Sequence, residues 1–468
     1  MKYNFIACLL LSFCFLFSCK KKQEWPARDF KQIKEKGELT IITLNSSTSY
    51  FIYREEQMGY DYDLAQDFCN HHGLTLNVKV AENATRLIEM LKRGEGDLVA
   101  YAAPVQNELK DSVLYCGLRQ TTRQALVQRA NKGDTIVKDV TGLIGKEVYV
   151  ERDTKYHQRL LNLDSELGGG IRIHKVSEDT ITSEDLIEMV SSGKIRYTVC
   201  DEYIARLNRT YFRNIDISLQ ISFEQRASWA VRKDRPGLAN ALDKWFAEND
   251  NTPVYRDITK KYFELSKQFF YGDYVAPKNL PKGAISVYDD LFRKHAKDTK
   301  YEWQFLAAIC YHESRFMNNL TSWAGAAGIM GLMSRTAASL GLTGNDRMNP
   351  DLSIGAAVEL LDRLDKIFRK VDDVQERKKF ILAAYNAGNG HVNDAQALAE
   401  KYGANPCIWE GNVQKYLEMK SLPEYYNDPV CKSGYFRGGE TIKYVASVVT
   451  TTERFKRISG GKKNKGGS

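Results

Sequence analysis

The hydrophobic rhythm of this chain changes once, near residue 280, and that change limits the fold more than any other feature. From about Gly37 to Lys267, short apolar strands alternate with amphipathic helical stretches. Leu39-Thr40-Ile41-Ile42-Thr43 reads as a strand, Tyr60 to Gly73 as a helix, and Leu76-Asn77-Val78-Lys79-Val80 as a strand. Thr85 to Arg93 is again helical, and Gly96-Asp97-Leu98-Val99-Ala100 follows as a buried strand. The same grammar restarts at Gly145-Lys146-Glu147-Val148-Tyr149-Val150 and runs through Asp185 to Ser192 and Tyr197-Thr198-Val199-Cys200-Asp201. Such alternation builds a parallel or mixed α/β sheet, and its restart implies two lobes in tandem. Tyr271, Gly272, Tyr274, Pro277, Pro281 and Gly283 then make a stretch too irregular for helix or strand. Beyond Ser286 apolar residues recur at helical spacing, in Tyr288 to His295, Trp303 to Tyr311, Ile354 to Phe368, Lys379 to Tyr385 and Thr441 to Val449.

The expected architecture is a two-lobed α/β domain over 37–268, a linker over 269–285 and a mostly α domain over 286–456. A length of 468 residues agrees, since one domain takes roughly 150. Residues 457–468 end in a basic, glycine-rich stretch of the kind that stays disordered. At the other end Lys2 precedes an apolar run from Phe5 to Phe17, too short to span a bilayer, which ends in Leu16-Phe17-Ser18-Cys19. This resembles the lipobox of bacterial lipoproteins, where a small residue precedes the cysteine that is acylated. The resemblance implies a signal peptide over 1–19, lipid on Cys19, a tether over 20–36, and an outer-membrane anchor facing the periplasm. Several acyl chains bury enough methylene groups for stable anchoring, which one chain alone does not.

With 43% hydrophobic and 27% charged residues the remainder is an ordinary globular composition. The net charge of +8 suits an anionic polymer such as cell wall, and neither a nucleic-acid motif nor a dense basic helix accompanies it. Cys69, Cys116, Cys200 and Cys310 sit in apolar settings and read as buried small residues. Cys407 and Cys431 flank a loop-rich stretch in an oxidising compartment, which leaves a disulfide open. No cysteine has zinc-ligand spacing and the seven histidines are scattered, so no metal is expected.

Within the first domain, Gly59-Tyr60-Asp61-Tyr62-Asp63-Leu64-Ala65, the Gly96-Asp97 turn, Gly145-Lys146-Glu147-Val148, and Gly193 followed by a strand into Asp201 resemble family 3 extracellular solute-binding proteins. That resemblance implies two lobes closing by a hinge on an amino acid or small peptide. It implies that Asp201 holds a ligand ammonium; read from the residues alone, Asp201 equally caps the helix Glu202 to Leu207. The family's carboxylate-clamping arginine has no counterpart in Pro104 to Tyr115, and Arg119 and Arg123 just beyond are the candidate substitutes.

In the second domain, the helix Trp303 to His312 runs into Glu313-Ser314-Arg315-Phe316. With Phe305 and Ile309 packing inward, Glu313 falls at the edge of a core, where partial burial raises a carboxyl pKa as a general acid requires. Then come Ser322-Trp323-Ala324-Gly325-Ala326-Ala327-Gly328-Ile329-Met330-Gly331-Leu332-Met333 and Ala383-Ala384-Tyr385-Asn386-Ala387-Gly388-Asn389-Gly390. Glu-Ser-x-Phe, Ser-x-x-Gly-Ala-x-Gly and Ala-Tyr-Asn-x-Gly, in that order, resemble the soluble-lytic-transglycosylase family with its lysozyme-like fold. The resemblance covers Ser286 to about Phe455, and Gly438-Gly439-Glu440-Thr441-Ile442-Lys443-Tyr444-Val445 is similar to its closing helix.

Small residues let backbone approach a sugar closely, and the turn after Asn386 needs glycine freedom at Gly388 and Gly390. Gly328, Ile329 and Met330 are expected to line sugar subsites; many family members read Gly-Leu-Met-Gln there, so a side-chain amide is missing. Ser322 either bonds Glu313 or caps a turn. Tyr385 stabilises the acid, or contacts an N-acetyl group, or is only core, with Asn386 beside it. Glu440 reads as structural.

Most glycosidases pair two carboxylates, and Asp346, Asp351 and Glu359 make no convincing second one. The resemblance implies a route without it, in which Glu313 is first acid and then base and the nucleophile is the substrate's own C6 hydroxyl. Glycan strands of peptidoglycan are then the expected partner, with cell-wall peptides at the first domain and no cofactor. Two rivals remain: a hydrolytic lysozyme, and a periplasmic receptor whose second domain only binds glycan.

Overall fold

The computed structural model describes residues 28–105, 107–176, 182–265 and 280–460. Cys19, most of the linker and the basic residues after 460 lie outside them. Its strands are β1 (Glu38–Leu44), β2 (Phe51–Tyr53), β3 (Glu56–Met58), β4 (Thr75–Ala81), β5 (Leu98–Pro104), β6 (Val113–Thr122), β7 (Gln124–Arg129), β8 (Glu147–Glu151), β9 (Arg172–Val176), β10 (Tyr197–Asp201), β11 (Ile215–Asp216) and β12 (Gln225–Arg232). One five-stranded sheet has the order β4-β1-β5-β12-β6, the other β11-β7-β10-β8-β9. In each, two of the four strand pairings are parallel and two antiparallel. β6 passes into β7 across Arg123 alone, and the chain returns from β11 to β12, so two crossings join the lobes. This is the two-lobed α/β architecture expected from the alternating pattern.

The sequence motifs of the first lobe are fastenings. β1 is buried at five consecutive positions, Leu39 to Thr43, as befits a central strand covered on both faces. Asp97 accepts from the Thr40 amide at 2.9 Å and from Arg28 at 2.7 Å, which fixes the turn into β5. At Gly59 (φ 144°) a Cβ would lie 2.1 Å from the Ser49 carbonyl oxygen, so no other residue fits. Asp61 accepts from the Trp229 indole at 2.8 Å, and Asp63 from Lys261 and Tyr262, each at 2.8 Å. These bonds tie the helix Tyr60–His72 to β12 and to the helix Pro253–Phe263.

The second part is a helical body around one core. Its axis is the helix Trp303–Ser314, fully buried from Leu306 to Cys310 and packed on the helices Asp289–Ala296 and Gly438–Ser459. Phe305 and Ile309 face inward as their spacing requires. The helix stops because Arg315 (φ 52°) and Phe316 (φ 62°) turn left-handed, which points Glu313 out of the last turn. The closing helix continues through Ser459. All described cysteines are free thiols. The Cys407–Cys431 disulfide left open above does not form: the Cys407 thiol faces the Lys370 carbonyl instead, at 3.6 Å. The other four are buried, as their apolar settings indicate.

Candidate active site

Glu313 is 5% exposed. Gly331 (φ 61°) makes room for it, since a Cβ there would meet the carboxylate oxygen at 2.3 Å. Burial pushes the Glu313 carboxyl above its ordinary value, against the opposing pull of Arg54 and the Tyr444 phenol. Tyr444, on the closing helix, lies against the carboxyl without the geometry of a full hydrogen bond. Ser314 ties the helix end to the following loop by donating to the Ile329 carbonyl at 2.7 Å.

The cation facing Glu313 comes from the other part of the chain. β2 and β3 form a hairpin with a two-residue turn, Arg54 (φ 47°) and Glu55 (φ 65°), both left-handed. Turns of this kind favour Asn-Gly; two side chains with a Cβ there store about 1–3 kcal/mol each. The Arg54 guanidinium reaches both Glu313 oxygens at 3.1 Å, donates to the Gly331 carbonyl at 2.7 Å and to the Asn386 carbonyl at 3.0 Å. Its amide donates to the Ala387 carbonyl at 3.0 Å. Gly388 (φ 97°) lets the hairpin this close, since a Cβ would stand 3.1 Å from the Glu55 nitrogen. Tyr53 packs on Trp323 with ring centres 5.6 Å apart, and Glu56 accepts from the Arg335 amide at 3.2 Å. Burial alone would pull the guanidinium pKa down, but pairing with Glu313 more than offsets it and Arg54 stays charged.

The hairpin divides a groove. On one side is a cavity of about 400 Å³ lined by Glu313, Asn386, Glu440 and Tyr444 together with Tyr211 and Phe212 of the second lobe. On the other is one of about 380 Å³ lined by Gly331, Tyr385, Gly388 and Asn389. A further void of about 10 Å³ lies beside Glu313, Ser322 and Gly328.

The other residues read from the motifs divide into liners and supports. Gly328 (φ 76°) borders the void at Glu313, and a Cβ there would lie 1.8 Å from the Arg347 carbonyl oxygen. Ile329 and Met330, expected to line sugar subsites, are instead fully buried core side chains. Their backbone is what the site uses: Tyr385 donates to the Met330 carbonyl at 2.7 Å. Tyr385 thus braces the loop while lining the second cavity. Ser322 accepts from the Ala326 amide at 3.1 Å, the turn-capping alternative. Asn386 accepts from Thr441 at 2.7 Å, which joins its loop to the closing helix. Gly390 lies in a helix and owes its smallness to Ser433, whose hydroxyl would meet a Cβ at 2.5 Å. Glu440, read as structural, lines the cavity of Glu313. Arg54, Gly331 and Tyr444 escaped the reading; Tyr444 was within reach of it, in the closing-helix motif.

Two family models match this architecture: bacterial extracellular solute-binding proteins, family 3, over residues 39–265, and the transglycosylase SLT domain over 290–408. A membrane-bound lytic murein transglycosylase F of Desulfosudis oleivorans is 33% identical over 90% of this chain and 90% of its own. The chain belongs to the membrane-bound lytic murein transglycosylase F family. A further transglycosylase F, from Pseudomonas fluorescens, is 29% identical over 93% of this chain and 87% of its own. Among solved structures, an ancestral cationic amino acid solute-binding protein aligns with 50% of this chain and 99% of its own, at 20% identity and a TM-score of 0.44.

In the first domain, Asp201 and Arg123 each have a partner within the chain. Asp201 makes no cap bond to the helix Glu202–Arg209; it accepts from Lys155 at 2.6 Å and Tyr156 at 3.1 Å, and its second oxygen has no hydrogen-bond partner among the described residues. Arg123 pairs with Glu224 at 2.7 Å on the surface. Arg119 lies on β6, and its side chain is outside the described residues. The Arg123 contact does not place it as a clamp beside Asp201.

Proposed function

We propose that the protein is a peptidoglycan lytic transglycosylase that acts between N-acetylmuramic acid and N-acetylglucosamine. The carrying observation is the buried carboxyl of Glu313, held at a helix end against Gly331 at the waist of an open groove. Protonated Glu313 gives its proton to the glycosidic oxygen as the bond to the muramic C1 breaks. The substrate's acetamido group stabilises the oxocarbenium charge. The Glu313 carboxylate then takes the C6 hydroxyl proton as that oxygen bonds C1, closing the 1,6-anhydro ring and restoring the acid. No water is consumed, so no second carboxylate is needed.

We read the state described as a resting one, because Arg54 lies against both oxygens of the carboxyl that must meet the glycosidic oxygen. We read the first domain as a regulator that withdraws the hairpin when a cell-wall peptide binds. Lipid on Cys19 would hold the enzyme at the outer membrane; no described helix is long and apolar enough to cross a membrane. A Cys19→Ser protein that stays in the membrane fraction would refute the anchor.

The test incubates purified sacculi with protein lacking residues 1–19 and identifies released muropeptides by mass spectrometry. Anhydro ends that vanish in Glu313→Gln support the reading. Reducing ends make the enzyme a hydrolase and direct attention to Glu440. Sacculus binding without release by the wild-type protein and by Arg54→Ala leaves the glycan-binding receptor.

A further inference from the structure

The first lobe carries a cavity of about 350 Å³ that the glycan chemistry does not use. It is built from Lys36 and Glu38 at the start of β1, the Gly94-Glu95-Gly96-Asp97 turn into β5, and Arg232 and Arg235 at and beyond the end of β12. β1 and β5 are parallel and β12 runs against β5, so all three bring these residues to one end of the sheet. The crossings to the second lobe leave from the other end, where Thr122 pairs with Gln225. The Arg54 hairpin, which follows β1, is at that other end too. The cavity is therefore remote from the second lobe and from the hairpin.

Its charge is lopsided. Arg28, Lys36, Lys79, Arg232 and Arg235 line it. Against them stand three carboxylates, Glu38, Glu95 and Asp97. Arg28 reaches Asp97 at 2.7 Å and Glu38 at 3.5 Å, and Lys36 also meets Glu38. Glu95 is shared with Arg86 outside the cavity, at 3.6 Å. Lys79 donates to the Glu95 carbonyl at 2.6 Å. Arg232 and Arg235 divide one carboxylate, Asp234, which is exposed and outside the lining. Arg235 is the telling one, because its side chain is only 8% exposed. It meets Asp234 through Nη1 alone, and its Nε and Nη2 have no acceptor among the described residues. A guanidinium so nearly buried, with donors of its planar fork to spare, matches the oxygens of a phosphate.

We propose that this cavity binds a phosphate ester, and that the ester is the headgroup of an anionic phospholipid in the membrane that holds the chain. The choice of source rests on the lipid anchor at Cys19 read above. Arg28 is nine residues from Cys19, a stretch that spans about 30 Å at full extension, so the cavity cannot leave the neighbourhood of the leaflet. The residues between begin with Lys20-Lys21-Lys22. Lys34 and Lys36 end the helix before β1, and Lys92 and Arg93 end the helix that leads into the Gly94 turn. An anionic surface attracts each such cation near it, and the anchor raises the local concentration of headgroups so that even a weak site fills. Seating this end of the sheet on the membrane turns the hairpin end, and with it the groove of Glu313, toward the cell wall.

The test uses protein lacking residues 1–19, so that binding does not depend on acylation, and reads co-sedimentation with vesicles at physiological ionic strength. Vesicles of phosphatidylcholine alone are compared with equimolar phosphatidylcholine and phosphatidylglycerol. Lys79→Gln with Arg232→Gln should weaken binding to the mixed vesicles about tenfold. Arg172→Gln with Lys175→Gln removes two exposed charges from β9 of the second lobe and should weaken it less than about twofold. Should the first pair fail to fold, Lys36→Gln on the rim removes one charge and should cost about threefold. Equal weakening by both pairs, or mixed vesicles that bind no better than phosphatidylcholine, overturns the proposal. Inorganic phosphate that binds the wild type in calorimetry but not the first pair, without any preference for mixed vesicles, replaces the lipid by free phosphate as the ligand. High salt strips protein held through the cavity alone but not an acylated chain, so a salt wash of Cys19→Ser membranes tells failure of the anchor from failure of this site.

Discussion

Two buried carboxylates in this molecule stand where an outside group is expected, and each holds a cation of the chain itself. At Glu313 the cation is Arg54, from a distant hairpin, with the two side chains 7% and 2% exposed. At Asp201 it is Lys155, from the same lobe and 35% exposed. Lys155 leaves by turning its own side chain, into water. Arg54 leaves only if the hairpin moves, because its backbone, its neighbours and two carbonyls hold it. The Asp201 site is open to exchange with a ligand, whereas the Glu313 site is under the control of the whole domain arrangement.

The sharpest break of this contrast is Glu313→Gln, which should lower release of anhydro-muropeptides by about 10²–10⁴. It should also loosen the hairpin, since Arg54 is left buried without its carboxylate, and exchange at the Arg54 amide checks that. Arg54→Ala should act in the opposite sense, raising turnover of the resting protein roughly tenfold, as expected if pairing worth over 1.4 kcal/mol holds the site shut. An unchanged rate would mean that the neighbouring contacts of the hairpin suffice.

Asp61 supplies a control for burial without a cation, being held by the neutral donors Trp229 and Ser49. Burial pushes it up to about 6 from 3.8, so the folded chain binds the proton more tightly than the unfolded one. Stability should therefore fall as pH rises from about 4 to 6, by about 3 kcal/mol in all, and Asp61→Asn should flatten that slope in urea titrations at the two pH values. The smallest effect belongs to Lys155→Met, which should change stability by less than about 1 kcal/mol, as measured by urea titration at pH 7. A cost as large as that of a buried pair would erase the contrast drawn here.

What the sequence made legible follows the range of the interactions. Strand and helix alternation, the inward faces of Phe305 and Ile309, and the ordered motifs around Glu313 are local patterns. The hairpin pairing with Glu313 is not: Arg54 and Glu313 are 259 positions apart, and Arg54-Glu55 lacks the glycine or asparagine that marks a tight turn. Ile329 and Met330 were read one layer too far out, because a motif that places backbone beside a site looks the same as one that places side chains. The Cys407 and Cys431 thiols show the limit of compartment arguments, which say what can oxidise and nothing about which way a thiol points.

Chain order gives the Arg54 hairpin one more consequence. Domains complete themselves in the order they are made, amino-terminal first. The hairpin belongs to the part synthesised early, whereas the groove is finished only when Thr441 and Tyr444 of the last helix arrive. On the proposed resting state, the arginine that faces Glu313 is thus in place before the groove it enters is complete.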